Sequence, residues 1–182
     1  MSLASLVSKK LALETVIGQI LIILAIFYFV FFRKKYNFIL KFIGKYALIF
    51  AFLIALVATL GSLFYSQVMG FEPCQLCWFQ RIFMYPLVIL LGFALFKKDD
   101  NITDYALSLS VIGGAISLYH NYMYYSNGGL NATCQLAGMN VISCVRRYVF
   151  EFGYVTIPLM ALTAFALIIT LLVLHKIRRK DL

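Results

Sequence analysis

Five long apolar segments dominate this sequence, and they leave few folds open to it. A nearly uncharged apolar run of about 17 residues or more is long enough to cross the hydrocarbon core of a bilayer as a helix. Such runs occupy residues 16–32, 46–68, 78–96, 105–125 and 154–174. Charged residues make up only 13% of the chain, against about 25% in typical soluble domains. The sequence therefore predicts an all-α integral membrane protein with little chain left for a soluble domain.

The positive residues predict how these helices are oriented. Most lysines and arginines follow the first, third and fifth runs: Arg33, Lys34, Lys35, Lys41, Lys45, Lys97, Lys98, Lys176, Arg178, Arg179 and Lys180. Fewer lie on the other side: Lys9, Lys10, Arg81, Arg146 and Arg147. Because positive residues concentrate on the cytoplasmic side, we expect the C-terminus inside and loops 69–77 and 126–153 outside. Membrane topology thus accounts for the net charge of +9 without nucleic-acid binding.

The first apolar run resembles a secretory signal peptide, because two lysines precede it. No small-x-small cleavage site follows, however, and the run continues into Phe31, Phe32 and Arg33. We therefore expect a retained helix. Residues 1–45 would form an N-terminal transmembrane helix with a basic cytoplasmic loop, and residues 46–182 a four-helix core. The sequence alone assigns no chemistry to the first helix.

All four cysteines fall in the two loops expected outside: Cys74, Cys77, Cys134 and Cys144. Disulfides persist in oxidising compartments. The four cysteines can therefore be interpreted either as two structural disulfides or as a redox centre. The motif for c-type haem attachment is absent, because Trp78 rather than histidine follows Cys77. A zinc site is disfavoured by the spacing of the second pair, which exceeds the usual two to four residues.

The stretch FEPCQLCWFQR, residues 71–81, favours redox chemistry over a structural disulfide. Pro73 suits the first position of a helix, so the third transmembrane helix is expected to begin within the motif. The free N–H groups and partial positive charge of a helix N-terminus stabilise a thiolate. Arg81 follows Cys77 by one helical turn on the same face.

Arg81 and His120 are two ionisable residues inside apolar segments. At 1.5 Å per residue, both are expected within roughly 5–8 Å of the outer membrane boundary. Two such residues at one depth suggest an intramembrane polar site. Two alternatives remain. Arg81 can extend its charge to the lipid headgroups, and His120 can anchor the helix at the interface beside Tyr119 and Tyr122.

The second outer loop carries a helical pattern. Apolar residues recur at helical spacing: Val141, Ile142, Val145, Tyr148, Val149 and Phe152. The pattern predicts an amphipathic helix lying in the membrane interface. Cys144 would lie near its start, followed by two arginines that favour a thiolate. Cys134 follows a glycine-containing stretch, so the pair is expected to be accessible to an external partner.

These motifs together resemble the DsbB/BdbC disulfide bond formation proteins. The resemblance rests on the Pro-Cys-x-x-Cys-Trp-Phe-Gln-Arg motif, on a second cysteine pair in the next outer loop and on the segments CQLCWFQR and GYVTIPLMALTAF. It covers the chain from about Lys45 to the C-terminus, whereas the first helix departs from the usual four. Tyr124 stands where some members carry a glutamine.

The resemblance implies an antiparallel four-helix transmembrane bundle in a bacterial cell membrane, with ubiquinone or menaquinone bound near the first cysteine pair. Electrons would pass from a reduced thioredoxin-fold oxidase, similar to DsbA or BdbD, to Cys134–Cys144, then to Cys74–Cys77 and to the quinone. Arg81 falls on the arginine that contacts quinone in this family, and His120 aligns roughly with a histidine near it.

Three other functions remain open. A vitamin K epoxide reductase-like enzyme is disfavoured, because in that family the loop cysteines precede the Cys-x-x-Cys pair. A transporter or assembly factor would use its disulfides only to hold the loops together. A reductant exporter would pass electrons in the opposite direction.

Overall fold

Five helices make up most of the chain, as the sequence predicts. The computed structural model describes residues 3–31, 38–97, 101–126 and 148–180. Within these ranges all five helices are long and apolar enough to cross a membrane. They are α1 (Leu3–Phe31), α2 (Phe38–Leu63), α3 (Gln75–Lys97), α4 (Ile102–Ser126) and α5 (Ile157–Lys180). The prediction of an all-α membrane bundle with an additional N-terminal helix is confirmed.

Helices α2 to α5 form a closed ring of four. Helix α2 packs on α3 and α5, and α4 packs on the same two helices from the opposite side. The core contains apolar side chains from all four helices: Leu48, Ala51, Ala55, Met84, Leu87, Leu91, Ala106, Phe165, Ile168 and Leu172. Successive helices alternate in direction, so the bundle is antiparallel. One end carries the connection between α2 and α3, and the other carries the connection between α3 and α4.

Small residues on α4 allow this close packing. Ala106, Ser110, Gly113 and Ser117 recur at helical spacing and are buried. Small residues at helix interfaces let the backbones approach each other within a membrane. The fully buried ring of Phe165 occupies the space beside Gly113, and a Cβ added to this glycine would lie 2.4 Å from that ring.

Helix α1 begins earlier than its apolar run suggests, and its candidate span covers Leu6–Tyr28 rather than residues 16–32. The predicted start was wrong because the charged residues Lys9, Lys10 and Glu14 interrupt the apolar pattern. These three side chains are exposed, whereas the neighbouring Ser8, Ala12, Thr15 and Gly18 are buried. The charges therefore interrupt the apolar pattern without ending the helix.

The outer end of α2 widens into a π-helical turn, Phe64–Val68. The turn is closed by hydrogen bonds from the Met69 amide to the Phe64 carbonyl (3.1 Å) and from the Phe71 amide to the Tyr65 carbonyl (3.0 Å). Gly70, with φ of 66°, then reverses the chain towards α3. Short π-helical turns are frequent at functional sites, and this one precedes the first cysteine pair.

Basic residues collect at the opposite end of the bundle. The Lys176 ammonium donates to the Asp104 carboxylate at 2.8 Å and joins α5 to the start of α4. Lys45, near the start of α2, and Lys97, at the end of α3, lie at this end too. The separation of basic residues from the first cysteine pair agrees with the charge pattern of the sequence.

A tight turn precedes α5. Glu151 pairs with Val155 in an isolated bridge, and Phe152 and Gly153 adopt positive φ angles of 52° and 77°. Thr156 caps α5 by accepting a hydrogen bond from the Leu159 amide at 3.4 Å. The predicted amphipathic helix therefore does not extend through Tyr148–Phe152, because this turn breaks the helical course. The earlier part of that prediction lies outside the described residues.

Candidate functional site

The first cysteine pair lies at the N-terminus of α3. The Cys74 carbonyl accepts the first helical hydrogen bond, from the Trp78 amide at 3.0 Å, so Cys74 caps a helix that begins at Gln75. The prediction that α3 begins within the motif is confirmed. Pro73 was expected at the first helical position and instead lies just before the cap. Both sulfurs therefore lie where the free amides of the first turn favour negative charge.

The two sulfur atoms are close together but differ in exposure. The Cys74 Sγ lies 3.3 Å from the Cys77 Sγ, within hydrogen-bonding distance. Cys74 is buried, with 6% of its surface exposed, whereas Cys77 is half-buried. Cys77 is thus the member of the pair that a second molecule can reach more easily.

His120 lies beside the buried cysteine. Its Nε2 is 3.9 Å from the Cys74 Sγ, and its Nδ1 is 3.1 Å from the amide nitrogen of Gln80. With that amide donating, Nδ1 is the acceptor and Nε2 carries the hydrogen that faces Cys74. His120 is 1% exposed, so it does not lie at the lipid interface as an anchor. Gln80, which the sequence reading did not single out, fixes the tautomer that faces the sulfur.

Arg81 is held inside the bundle. Its guanidinium donates to the Ser62 carbonyl of α2 at 3.1 Å, and it lies 5.5 Å above the ring of Trp78. The side chain is half-buried and lines the same cavity as the cysteine pair. These contacts hold the guanidinium against α2 and the Trp78 ring, at the cavity that the dithiol also lines.

A cavity of about 430 Å³ opens beside these residues, in the half of the bundle that carries the connection between α2 and α3. Cys74, Cys77, Arg81 and His120 all line it, so four of the six predicted site residues come together. Most of the remaining wall is apolar and comes from α2, α3 and α5, including Leu53, Val57, Ala58, Met84, Met160, Ala161, Phe165 and Leu167. An apolar cavity of this size with a few polar groups is typical of a small-molecule site.

The cavity also includes residues that the sequence analysis missed. Leu11, Glu14 and Thr15 of α1 line it, and Glu72 lies on the loop before α3. A sequence signal for α1 existed: Ser8, Ala12, Thr15 and Gly18 repeat at helical spacing, a pattern of small residues typical of helices that pack closely. The charged residues between them concealed it.

The end of the second outer loop reaches the same cavity. The Tyr148 ring stacks on Phe71 at a centroid distance of 4.6 Å, and Phe71 stacks on Tyr65 at 6.0 Å. Tyr148 and Phe71 both line the cavity. Cys134 and Cys144 lie outside the described residues, so their proposed roles stay a prediction.

The local geometry also suits a soft metal ion. The possible ligand atoms of Cys74, Cys77 and His120 all lie within 4.8 Å of one another. Thiolate and imidazole are ligands that zinc prefers. The cysteine spacing disfavours zinc for the four cysteines together, whereas this group combines one cysteine pair with a histidine from α4.

The helices form a ring, and a cysteine pair and an arginine lie at its apolar cavity. This arrangement is typical of a membrane protein that carries out thiol chemistry. The chain belongs to the DsbB family: the family model described as "DsbB: Disulfide bond formation protein DsbB" matches residues 44–175. As a member of this family, it is a membrane protein that takes part in disulfide bond formation and has oxidoreductase activity. Helix α1 lies outside the matched residues.

Curated relatives agree with this assignment. The chain is 47% identical over 121 residues to "Probable disulfide formation protein C 1" of Bacillus anthracis, covering 66% of this chain and 85% of the relative. It is 41% identical over 126 residues to "Disulfide bond formation protein C" of Bacillus subtilis (strain 168), covering 69% and 89%. A "Probable disulfide formation protein" of Chlamydia pneumoniae is 40% identical over 137 residues, covering 75% and 96%. No solved structure matches the chain.

Proposed function

We propose that this protein reoxidises an extracytoplasmic thioredoxin-fold dithiol oxidase and passes the electrons to a membrane quinone, which supports disulfide bond formation in exported proteins. The observation that carries the proposal is the position of Cys77. Cys77 lines an apolar cavity that Arg81 also lines, and its sulfur lies 3.3 Å from a second sulfur. A dithiol in that position can exchange electrons with a lipid-soluble acceptor.

The residues present fit a quinone. The apolar wall suits a flat ring with an isoprenoid tail, and Arg81 supplies a positive charge for a ring oxygen. A bound quinone supplies the capacity to accept two electrons and two protons from a dithiol. Arg81 and Cys77 would contact the ring, and the apolar residues of α2 and α5 would contact the tail.

The residues around the dithiol would have different roles in electron transfer. Cys77, the more exposed sulfur, would act on the acceptor side, since thiol–disulfide reactions depend on access and thiolate character. The His120 N–H would stabilise negative charge on Cys74. The first turn of α3 would favour negative charge on both sulfurs, because they lie at the positive end of the helix dipole.

The second cysteine pair would receive electrons from the partner oxidase. Its position in sequence supports this role, because Cys144 precedes Tyr148 by only four residues. The Tyr148 ring stacks on Phe71, three residues before Cys74 in the sequence. We further propose that this end of the bundle faces the outside of a bacterial cell membrane, with the C-terminus in the cytoplasm.

Quinone reduction by the purified protein in detergent tests this function. The reduced thioredoxin-fold oxidase serves as electron donor, and quinone loss is followed by its ultraviolet absorbance. We expect one quinone reduced for each partner dithiol oxidised. The Cys77→Ser variant is the control and should support no repeated turnover.

A chelator separates dithiol chemistry from a metal-dependent reaction. Since the proposed role uses Cys74 and Cys77 as a dithiol, turnover should not fall when EDTA is added. If the partner were oxidised equally fast with and without quinone, the proposed electron transfer would be wrong. Failure of turnover only after chelation would instead assign the Cys74–Cys77–His120 group to a metal ion.

A further inference from the structure

Helix α1 lies outside the residues that the family model matches, yet it reaches the cavity beside the dithiol. Leu11, Glu14 and Thr15 of α1 line this cavity together with Cys77 and Arg81. We propose that the outer half of α1, residues 3–18, is a wall of the quinone site and determines how tightly the acceptor binds. The inference rests on the quinone function proposed above and adds a specificity element to it.

The outer half of α1 packs closely against α5. Ser8, Ala12, Thr15 and Gly18 form its buried side. A Cβ added at Gly18 would lie 2.8 Å from the Leu167 Cδ1. The Leu167 side chain would have to shift to make room for that Cβ, so α1 and α5 are in close contact at Gly18. The wall is therefore formed by a fitted helix and not by a loosely attached segment.

Two hydrogen bonds fix the rotation of α1 about its axis. The Gln19 amide donates to the Thr163 hydroxyl at 3.4 Å, and the Tyr154 hydroxyl donates to the Gln19 carbonyl oxygen at 3.0 Å. Both partners belong to α5 or to the turn before it. With the rotation fixed in this way, Leu11, Glu14 and Thr15 face the cavity.

The contact between α1 and α2 lies next to the arginine anchor. The Leu11 Cδ1 comes within 3.4 Å of the position that a Cβ would take on Gly61. The following residue, Ser62, accepts the hydrogen bond from Arg81. A shift of α1 would therefore act on the backbone that positions the guanidinium.

The two halves of α1 differ in burial, because the outer half has a buried side, whereas residues 19–28 are all half-buried or exposed. The inner half exposes large apolar side chains, including Ile23 at 65% and Leu24 at 57%, as expected for contact with lipid. The outer half carries Glu14, an ionisable residue within a candidate span. Such residues are costly in a membrane and usually face a cavity or a partner of opposite charge. Glu14 faces the cavity that contains Arg81.

Cross-linking to the unmodified full-length protein tests the inference directly. The probe is a benzoquinone that carries an aryl azide, irradiated with the protein in detergent, and labelled peptides are mapped by mass spectrometry. We expect label on the peptide containing residues 11–15 and its loss when unlabelled quinone is added in excess. Label confined to α3 and α5 would overturn the inference. Failure of all competable labelling would overturn the quinone function itself.

A matched pair of leucines provides the second measurement. Leu11 lines the cavity, whereas Leu13 on the opposite side of α1 is 52% exposed. Trp78, the only tryptophan of the chain, lies beside Arg81 and reports quinone binding by fluorescence quenching. Leu11→Ala should raise the quinone Kd about three- to tenfold through lost apolar contact, and Leu13→Ala should leave it unchanged. Equal Kd values for the two variants would contradict a role of α1 in the site.

Discussion

The Nε2 of His120 lies 3.9 Å from the Sγ of Cys74, although 46 residues separate them in the sequence. The imidazole is buried and is held on its other side by Gln80. Because an N–H donor stabilises a thiolate, His120→Ala should slow alkylation of Cys74 by about tenfold. The rate is measured with iodoacetamide on a reduced variant in which Cys77, Cys134 and Cys144 are serine.

Gln80 provides the matching test of the tautomer. Gln80→Leu removes the contact to Nδ1 and should slow the same reaction by a smaller factor, because the hydrogen is no longer fixed on Nε2. The control is His175→Ala, since His175 contacts the Gly44 carbonyl at the opposite end of the bundle. Equal alkylation rates in the parent and in Gln80→Leu would show that Gln80 does not position the imidazole.

Arg81 supplies the fixed positive charge at the cavity. Arg81→Ala should lower kcat/KM for quinone by about tenfold or more, because a donor to developing negative charge is lost. Arg81→Lys should recover only part of the activity, since lysine lacks the planar set of donors. Steady-state quinone reduction measures both. Wild-type kinetics in Arg81→Ala, with the protein still folded, would mean that this charge only anchors α3 to Ser62.

The two cysteine pairs should act in sequence. With Cys134→Ser, partner oxidation should stop, while the Cys74–Cys77 disulfide should still form when quinone is present. With Cys77→Ser, the outer pair should accept electrons from the partner once and give at most one turnover. Alkylation trapping followed by mass spectrometry reads each state. Multiple turnovers in Cys134→Ser would make the outer disulfide a structural link only.

The proposed topology rests on the separation of the dithiol from most of the basic residues. A membrane-impermeant thiol reagent should label the cysteines of reduced intact cells or spheroplasts, because both cysteine loops are expected outside. Labelling with and without prior membrane disruption gives the comparison. Protection of all four cysteines until the membrane is broken would reverse the orientation.

Adjacent glycines of α4 test the packing of the bundle. A Cβ at Gly113 would lie 2.4 Å from the Phe165 ring, whereas at Gly114 the nearest atom, the Ile169 Cδ1, is 3.5 Å away. Gly113→Ala should therefore destabilise the protein by about 1–3 kcal/mol through overpacking. Gly114→Ala should be neutral or stabilising by up to about 1 kcal/mol, because alanine favours a helix. Thermal unfolding in detergent compares the two, and equal midpoints would contradict the predicted clash.

Much of the fold could be predicted because hydropathy is a local property. Each apolar run is long enough to cross a bilayer by itself, so the number of helices and the membrane class required no knowledge of their contacts. The start of α1 could not be read in this way, because Lys9, Lys10 and Glu14 interrupt the apolar run but lie on exposed positions. The turn at Phe152 and Gly153 was missed for a related reason: the helical spacing of apolar residues reaches Phe152, whereas the positive φ of 52° at this residue is not helical.

The sequence by itself determined the membrane class, the Cys-x-x-Cys pair at the start of α3 and the position of Arg81 one turn further on, because these depend on neighbours along the chain. The tertiary structure decided which distant groups meet them. Helix packing fixes how far each helix is rotated about its axis and at what depth it lies, and so brings His120 to Cys74 and Ser62 to Arg81. The same packing places Leu11 and Glu14 of α1 in the cavity wall, because the fit of small residues against α5 involves both helices and cannot be read from either one alone.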